Sequence, residues 1–135
     1  MLEFKLITTP DGFEKARPIW DKSFSYEQDK NENISCYIVG YDGSRLIAAA
    51  RMYPKDKGIY IIDRVAVEHE YQRQYIGDTL LKTLEDKAVR LMGYMTETLP
   101  TPSSVGFFEK EGYKKIGDRF VKDLTHPHKR CEGCK

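Results

Sequence analysis

Ile62-Asp-Arg-Val-Ala-Val-Glu-His-Glu-Tyr-Gln-Arg-Gln-Tyr-Ile-Gly-Asp-Thr-Leu-Leu81 is the stretch on which the reading of this chain turns. An apolar run that begins at Ile59 ends at Val67 and reads as a buried strand. A polar loop over 68–75 follows, and then a long amphipathic helix, predicted over 76–92. Its Ile76, Leu80, Leu81, Leu84, Ala88, Leu91 and Met92 fall on one side, and Gly93 suits its C-terminal stop. The first turn of a helix carries about four N–H groups without intrahelical partners and the positive end of the helix dipole, which together attract anions. Gln72, Arg73 and Gln74 add donors beside it, and Gly77 lets a ligand approach the main chain. Two readings stand side by side: a pyrophosphate cradle, or an ordinary strand–loop–helix connection with a solvated loop. Neither a G-x-x-x-x-G-K-[ST] loop nor a G-x-G-x-x-G fingerprint is present.

Working outward, residues 2–7 alternate Leu2, Phe4 and Leu6 against Glu3 and Lys5, the period of a strand. Asp11-Gly12 opens a helical stretch to about residue 25, in which Pro18 predicts a kink or two shorter helices. The polar run 28–33 is a loop. Residues 34–41 and 45–53 read as strands joined at Asp42-Gly43, the strongest hairpin signal in the chain. Lys55-Asp-Lys-Gly58 turns into the strand 59–67. Beyond the long helix come a strand over 94–98, a helix over about 103–111 framed by Pro100 and Pro102, and a last strand starting at Tyr113. The order β α β β β α β α β is a mixed α/β arrangement.

The 135 residues, 40% of them hydrophobic, suffice for one domain with its own core. Twenty-two basic against 21 acidic residues give a formal charge of +1, so charge suggests neither nucleic acid nor an anionic membrane as partner. No apolar run approaches the ~20 residues of a membrane span. The opening Met1-Leu-Glu-Phe-Lys-Leu-Ile7 lacks the build of a secretory signal, so a cytoplasmic protein is expected. Three cysteines make no disulfide framework, and Cys36 reads as a small hydrophobe buried in a strand. The domain is expected over 1–125, followed by a tail over 126–135. That tail holds His126, His128, Cys131 and Cys134, four potential zinc ligands at a spacing too tight to fold anything between two pairs. Zinc binding is therefore not expected, and thiol pairing or a frayed end accounts for the tail equally well.

Val65-Ala-Val67, Gln72-Arg-Gln-Tyr-Ile-Gly77 and the leucine-rich helix after them resemble motif A of the GNAT family of N-acetyltransferases. Phe107-Phe-Glu-Lys-Glu-Gly-Tyr113 is similar to the same family's motif B, and Pro127-His-x-x-Cys131 to the tail of some small bacterial members. The resemblance spans nearly the whole chain. It implies a mixed, mostly antiparallel sheet flanked by helices, in which the strand ending at Val67 splays from its neighbour. Main chain at Val65, Ala66 and Val67 would pair with the pantetheine arm of acetyl-CoA, and an N–H at Val65 or Val67 would stabilise an oxyanion. The segment Gln72, Arg73, Gln74, Tyr75, Ile76, Gly77 and Asp78 would hold the pyrophosphate, with Thr101, Ser104 and Phe108 near the cofactor. An amine, small or on a protein, would attack directly in a ternary complex. A homodimer through the last strands is also implied.

The sequence departs from that pattern in informative places. Tyr75 stands where the family's first loop glycine usually is, and its bulk would crowd the phosphates unless the side chain turns outward. Phe108 stands where the family commonly has a tyrosine acid, and Ile61 where some members place a glutamate base. No catalytic residue is selected, although Asp63 and Tyr60 are candidate bases. Tyr113 reads as a core residue and His69 as a solvated one. Trp20 and Phe24 read first as core, second as an acceptor pocket. An N-acetyltransferase is the leading expectation. A non-catalytic acyl-CoA binder, or a metal- or thiol-responsive module built on the tail, is the alternative.

Overall fold

The computed structural model describes residues 1–125; the tail, with its two histidines and two cysteines, lies outside the described residues. One seven-stranded sheet runs through the molecule: β1 (Leu2–Ile7), β2 (Cys36–Asp42), β3 (Arg45–Asp56), β4 (Ile59–Val67), β5 (Met95–Thr98), β6 (Lys114–Ile116) and β7 (Arg119–Asp123). Their spatial order is β1-β2-β3-β4-β5-β7-β6. Every pairing is antiparallel except β4 with β5, which the helix α2 (Ile76–Arg90) connects as a parallel crossover. The expected mostly antiparallel sheet is what forms. The single last strand of the sequence reading divides instead into a hairpin, turned at Gly117–Asp118, whose second strand inserts beside β5.

Side chains alternate across the sheet and so supply two cores. On one face, Tyr37, Val39, Ala49 and Ala66 pack against Phe13, Ala16, Ile19 and Trp20 of α1 (Asp11–Ser23). On the other, Ile38, Ala50, Met52 and Ile62 pack against Leu80, Leu81, Leu84 and Ala88 of α2 and Phe108 of α3 (Val105–Lys110). Cys36 belongs to this second core, and burial pushes its thiol up to about 11.

Pro18 does not break α1, which continues unbroken to Ser23. The proline sits on the exposed side of the helix, where the carbonyl it leaves without a partner can be solvated. At the end of α2 the left-handed residue is Met92, with φ +69°, rather than Gly93. Met92 N–H donates to Val89 O at 2.9 Å and Gly93 N–H to Ala88 O at 2.7 Å, the paired bonds of a Schellman stop. Gly93 is needed for room: a Cβ there would lie 2.8 Å from both Ala88 O and the Tyr60 ring.

Candidate active site

β4 pairs with β5 only over Ile59–Ile61, opposite Met95–Glu97. Beyond Ile61 the two strands diverge, and the rest of β4, up to Val67, faces an open cleft of about 1750 Å³. Glu68 N–H donates to Ile47 O at 2.8 Å, toward β3. Main-chain groups alternate in direction along a strand, so Val65 and Val67 turn theirs away from β3, into the gap. Gln72 Nε2, which donates to Val67 O at 3.1 Å, marks that direction.

The next wall is the loop into α2. Arg73 and Tyr75 are both left-handed, with φ +65° and +66°, in a chain segment whose last residue is the N-cap of the helix. Successive N–H groups in such alternating conformations converge on an anion. Tyr75 meets the sterics of its position by pointing outward; it is 80% exposed. Gly77 sits in the first turn of α2, where a Cβ would approach the Phe107 ring to 3.3 Å. Thr101, Ser104, Gly106 and Phe108 form the facing wall, with Thr101 and Ser104 hydroxyls 3.1 Å apart.

Of the cofactor residues read from the sequence, Val65, Ala66, Val67, Gln72, Arg73, Tyr75, Gly77, Asp78, Thr101, Ser104 and Phe108 all line this cleft. Gln74 does not; its amide donates to Glu70 O at 3.2 Å. Ile76 anchors the helix in the core. Asp78, at the helix start, is offset by Lys82 at 3.5 Å, and Lys82 also pairs with Glu111. Burial keeps the Glu111 carboxyl above its ordinary value, and its hydrogen bond with Asp78 works in the same direction.

The α1 side of the cleft is built on a bulge. Pairing of β3 with β4 slips between Ala49 and Arg51, and Arg64 takes φ +55°. The extra residue puts Asp63 and Arg64 on the same face, although neighbours in a regular strand point oppositely. Trp20 Nε1 donates to Arg64 O at 2.6 Å and fixes the bulge from below. Trp20 is fully buried, so it supports the cleft while Phe24 lines it. Asp63 lines the cleft as well, whereas Tyr60 lies outside it, packed at Gly93.

Asp63 is engaged by Arg51, whose Nε and Nη2 reach its two oxygens at 2.9 and 2.7 Å. Arg51 Nη1 also binds Asp29 at 2.9 Å and lies 3.3 Å from Glu32, while Arg64 Nη2 binds Glu32 at 2.8 Å. Burial works to raise the Asp29 and Glu32 carboxyls, but hydrogen bonds from Arg51 and Arg64 respectively, with nearby positive charge, hold both below the ordinary range. Burial likewise opposes the charge of Arg51, and its carboxylate partners overcome that and raise it. The sequence reading missed Arg51, Asp29 and Glu32. A signal existed: Arg51 interrupts Ile47-Ala-Ala-Ala-Arg-Met52, and a cation in such a run needs buried anionic partners.

Tyr113 is turned away from the cleft, in contact with Glu85 and Thr96 at 2.8 Å each. Burial first, and then the Glu85 charge, raise its phenol. His69 is exposed at the cleft rim. Among the described residues no group of three or more His, Cys, Asp or Glu could hold a metal ion, and no helix is long and apolar enough to cross a membrane.

Comparison with known proteins bears on this geometry. The chain is 29% identical over 108 residues to the uncharacterized N-acetyltransferase YjcF of Bacillus subtilis, covering 76% of this chain and 72% of the relative. It is 32% identical over 85 residues to glucosamine 6-phosphate N-acetyltransferase of Schizosaccharomyces pombe, covering 62% and 77%. In fold it is similar to the IAA acetyltransferase of Bacillus cereus, with a TM-score of 0.79 at 15% identity over 92% of this chain and all of that one. It is also similar to N-acetylglutamate synthase of Neisseria gonorrhoeae, solved with coenzyme A and L-arginine, with a TM-score of 0.75 at 14% identity over 93% of this chain and 34% of that one. Residues 5–113 match the Acetyltransferase (GNAT) family, and with a match over that much of its length the chain belongs to that family.

Proposed function

We propose that the chain transfers an acetyl group from acetyl-CoA to an amine that enters from the α1 side of the cleft. The observation that carries this reading is the divergence of β4 and β5 after Ile61, which leaves a main-chain edge ending beside the first turn of α2. The residues fit the cofactor. An extended amide-bearing arm matches the outward groups of Val65 and Val67, a pyrophosphate matches the N–H groups around 73–78, and a Cβ-free surface at Gly106 has nothing within 4 Å. When bound, the cofactor supplies an acyl thioester, an electrophile that a neutral amine can attack.

The chain's own part is to hold the two reactants together and handle protons. Main-chain N–H at Val65 or Val67 faces developing negative charge on a carbonyl oxygen placed at the splay. The amine arrives protonated and must lose a proton, and Asp63 is the carboxylate nearest the end of the paired region that also lines the cleft. No covalent enzyme intermediate is invoked. Cys36 is buried in the α2-side core, and the Ser104 hydroxyl binds Thr101.

Phe108 favours a second reading, a binder of acyl-CoA without turnover, because it puts a ring without a proton on the cofactor wall. Thiol release separates the readings, and a melting shift tests what they share. Acetyl-CoA raises the melting temperature under both, and only the enzyme releases free thiol with a panel of primary amines. No shift with acetyl-CoA refutes both.

A further inference from the structure

Among the described residues, the buried side-chain polar atom left without a hydrogen-bond partner lies in the α1 half of the cleft. The Arg64 side chain is 7% exposed, and its Nη2 is satisfied by Glu32 at 2.8 Å and by Glu27 O at 3.0 Å. Its Nη1 is buried with no hydrogen-bond partner. A guanidinium donor shut away from water without an acceptor is disfavoured, and a ligand oxygen would relieve it. Arg64 lines the cleft, and its backbone is held left-handed in the bulge by the Trp20 hydrogen bond, an outlier of the kind found at ligand sites. The guanidinium carbon lies 5.0 Å from the centre of the buried Trp20 ring and 4.6 Å from that of Tyr26, which sits in a segment outside any helix or strand and is held by its hydroxyl donating to Asp21 at 2.6 Å.

Charge sets the rest of the ligand. Arg51 and Arg64 face Asp29, Glu32 and Asp63, a niche of net charge −1. Its two cleft-lining acids, Asp29 and Asp63, are 40% and 32% exposed, so they remain open to a cation.

Resting on the acetyltransferase reading above, we propose that the acceptor is a primary amine with an oxygen acceptor close to its nitrogen. Arg64 Nη1 binds that oxygen after Tyr26 swings aside, and Asp63 and Asp29 receive the ammonium. A plain alkylamine satisfies only the second half of this site.

The test uses four amines with one shared CH3–CH(NH2)–C core: alaninamide, alanine, alaninol and isopropylamine, the last lacking the oxygen. Each is titrated against the full chain, alone and with coenzyme A, while the arginine side-chain NMR signals are followed, and KM is measured for each by thiol release. The best of the three oxygen-bearing amines binds about 10- to 100-fold more tightly than isopropylamine and shifts the Arg64 guanidinium signals. Which of the three is best separates a carboxylate from a neutral oxygen. Arg64→Lys keeps a cation beside Glu32 but removes the spare donor; it brings that amine to within about two-fold of isopropylamine measured in the same variant. Isopropylamine binding as tightly as the others, an equal loss for all four in Arg64→Lys, or no binding by any of them while coenzyme A still binds overturns the proposal. The ranking in the unaltered protein stands even if the variant fails to fold. Failure of acetyl-CoA to raise the melting temperature is a different result and strikes the underlying activity.

Discussion

Arg51→Met is the sharpest perturbation of the site. The arginine side chain is only 2% exposed and touches three carboxylates, so methionine fills its stem volume and removes the charge. Breaking a buried pair from one side destabilises by about 3–5 kcal/mol. Asp29 and Asp63 are both partly exposed and keep some hydration, which places this case at the lower end, about 3 kcal/mol. In a chain of this length that is a fall in melting temperature of roughly 10–15 °C at pH 7.5. The pH dependence carries the diagnosis. In the unaltered protein Asp29 and Glu32 sit below their unfolded values. Their stabilisation is therefore present above the ordinary carboxylate range and lost as pH falls through their folded values. In the variant the niche holds three acids and one cation, so its buried carboxyl Glu32 shifts upward. The variant's deficit is then greatest at neutral pH and shrinks toward pH 5. Thermal melts of both proteins across that range measure it. A deficit that is the same at both ends, or under about 3 °C, refutes the account of Arg51 as the neutralising centre of the niche.

Tyr75→Gly removes a side chain that is exposed and held at φ +66°, so it stabilises the fold by about 0.5–1 kcal/mol in a denaturant titration without weakening acetyl-CoA binding. Gly77→Pro deletes one N–H from the first turn of α2 and sets a ring against Phe107; the melting shift with acetyl-CoA disappears while the fold survives, and an unchanged shift would count against the cradle. Tyr113→Phe leaves Thr96 and Glu85 short of a partner and costs about 1–3 kcal/mol in stability, yet any thiol release per folded molecule is unaltered, because the phenol does not reach the cleft.

What could be read from the sequence was local. The Asp42-Gly43 turn, the apolar stripe of α2 and the strand 59–67 each depend on residues within a few positions, and each forms close to where the pattern puts it. The hairpin of β6 and β7 was hidden because Gly117-Asp118 sits inside a run that also reads as one strand. Only the pairing of β7 with β5 gives the turn its purpose. Pro18 and Gly93 misled for a related reason. Their effects depend on which side of a helix faces water and on how near the Tyr60 ring comes, neither of which their neighbours in sequence encode.

The site divides along the same line. The half proposed to take the cofactor draws one wall from a single stretch, 65–78, whose strand, loop and helix start are local features that neighbouring residues encode. The half proposed to take the acceptor joins Asp29 and Glu32 to Arg51 and Asp63 on adjacent strands, and no spacing rule links them; 28–33, read from the sequence as a loop, holds a 3-10 turn over Lys30–Asn33 that Asp29 caps, with Glu32 completing the capping box. The bulge at Arg64 is what completes that half. Without the extra residue, Asp63 would share its face with Val65, and Arg64 would turn toward the α2 side, away from Glu32 and Tyr26. A regular β4 could still present a main-chain edge to the cleft, but the only guanidinium left in the niche would be that of Arg51, which is already bound to Asp63 and Asp29. The fold family accounts for the cleft; under the acceptor proposal, it is the one extra residue of β4 that brings a guanidinium with a spare donor to it.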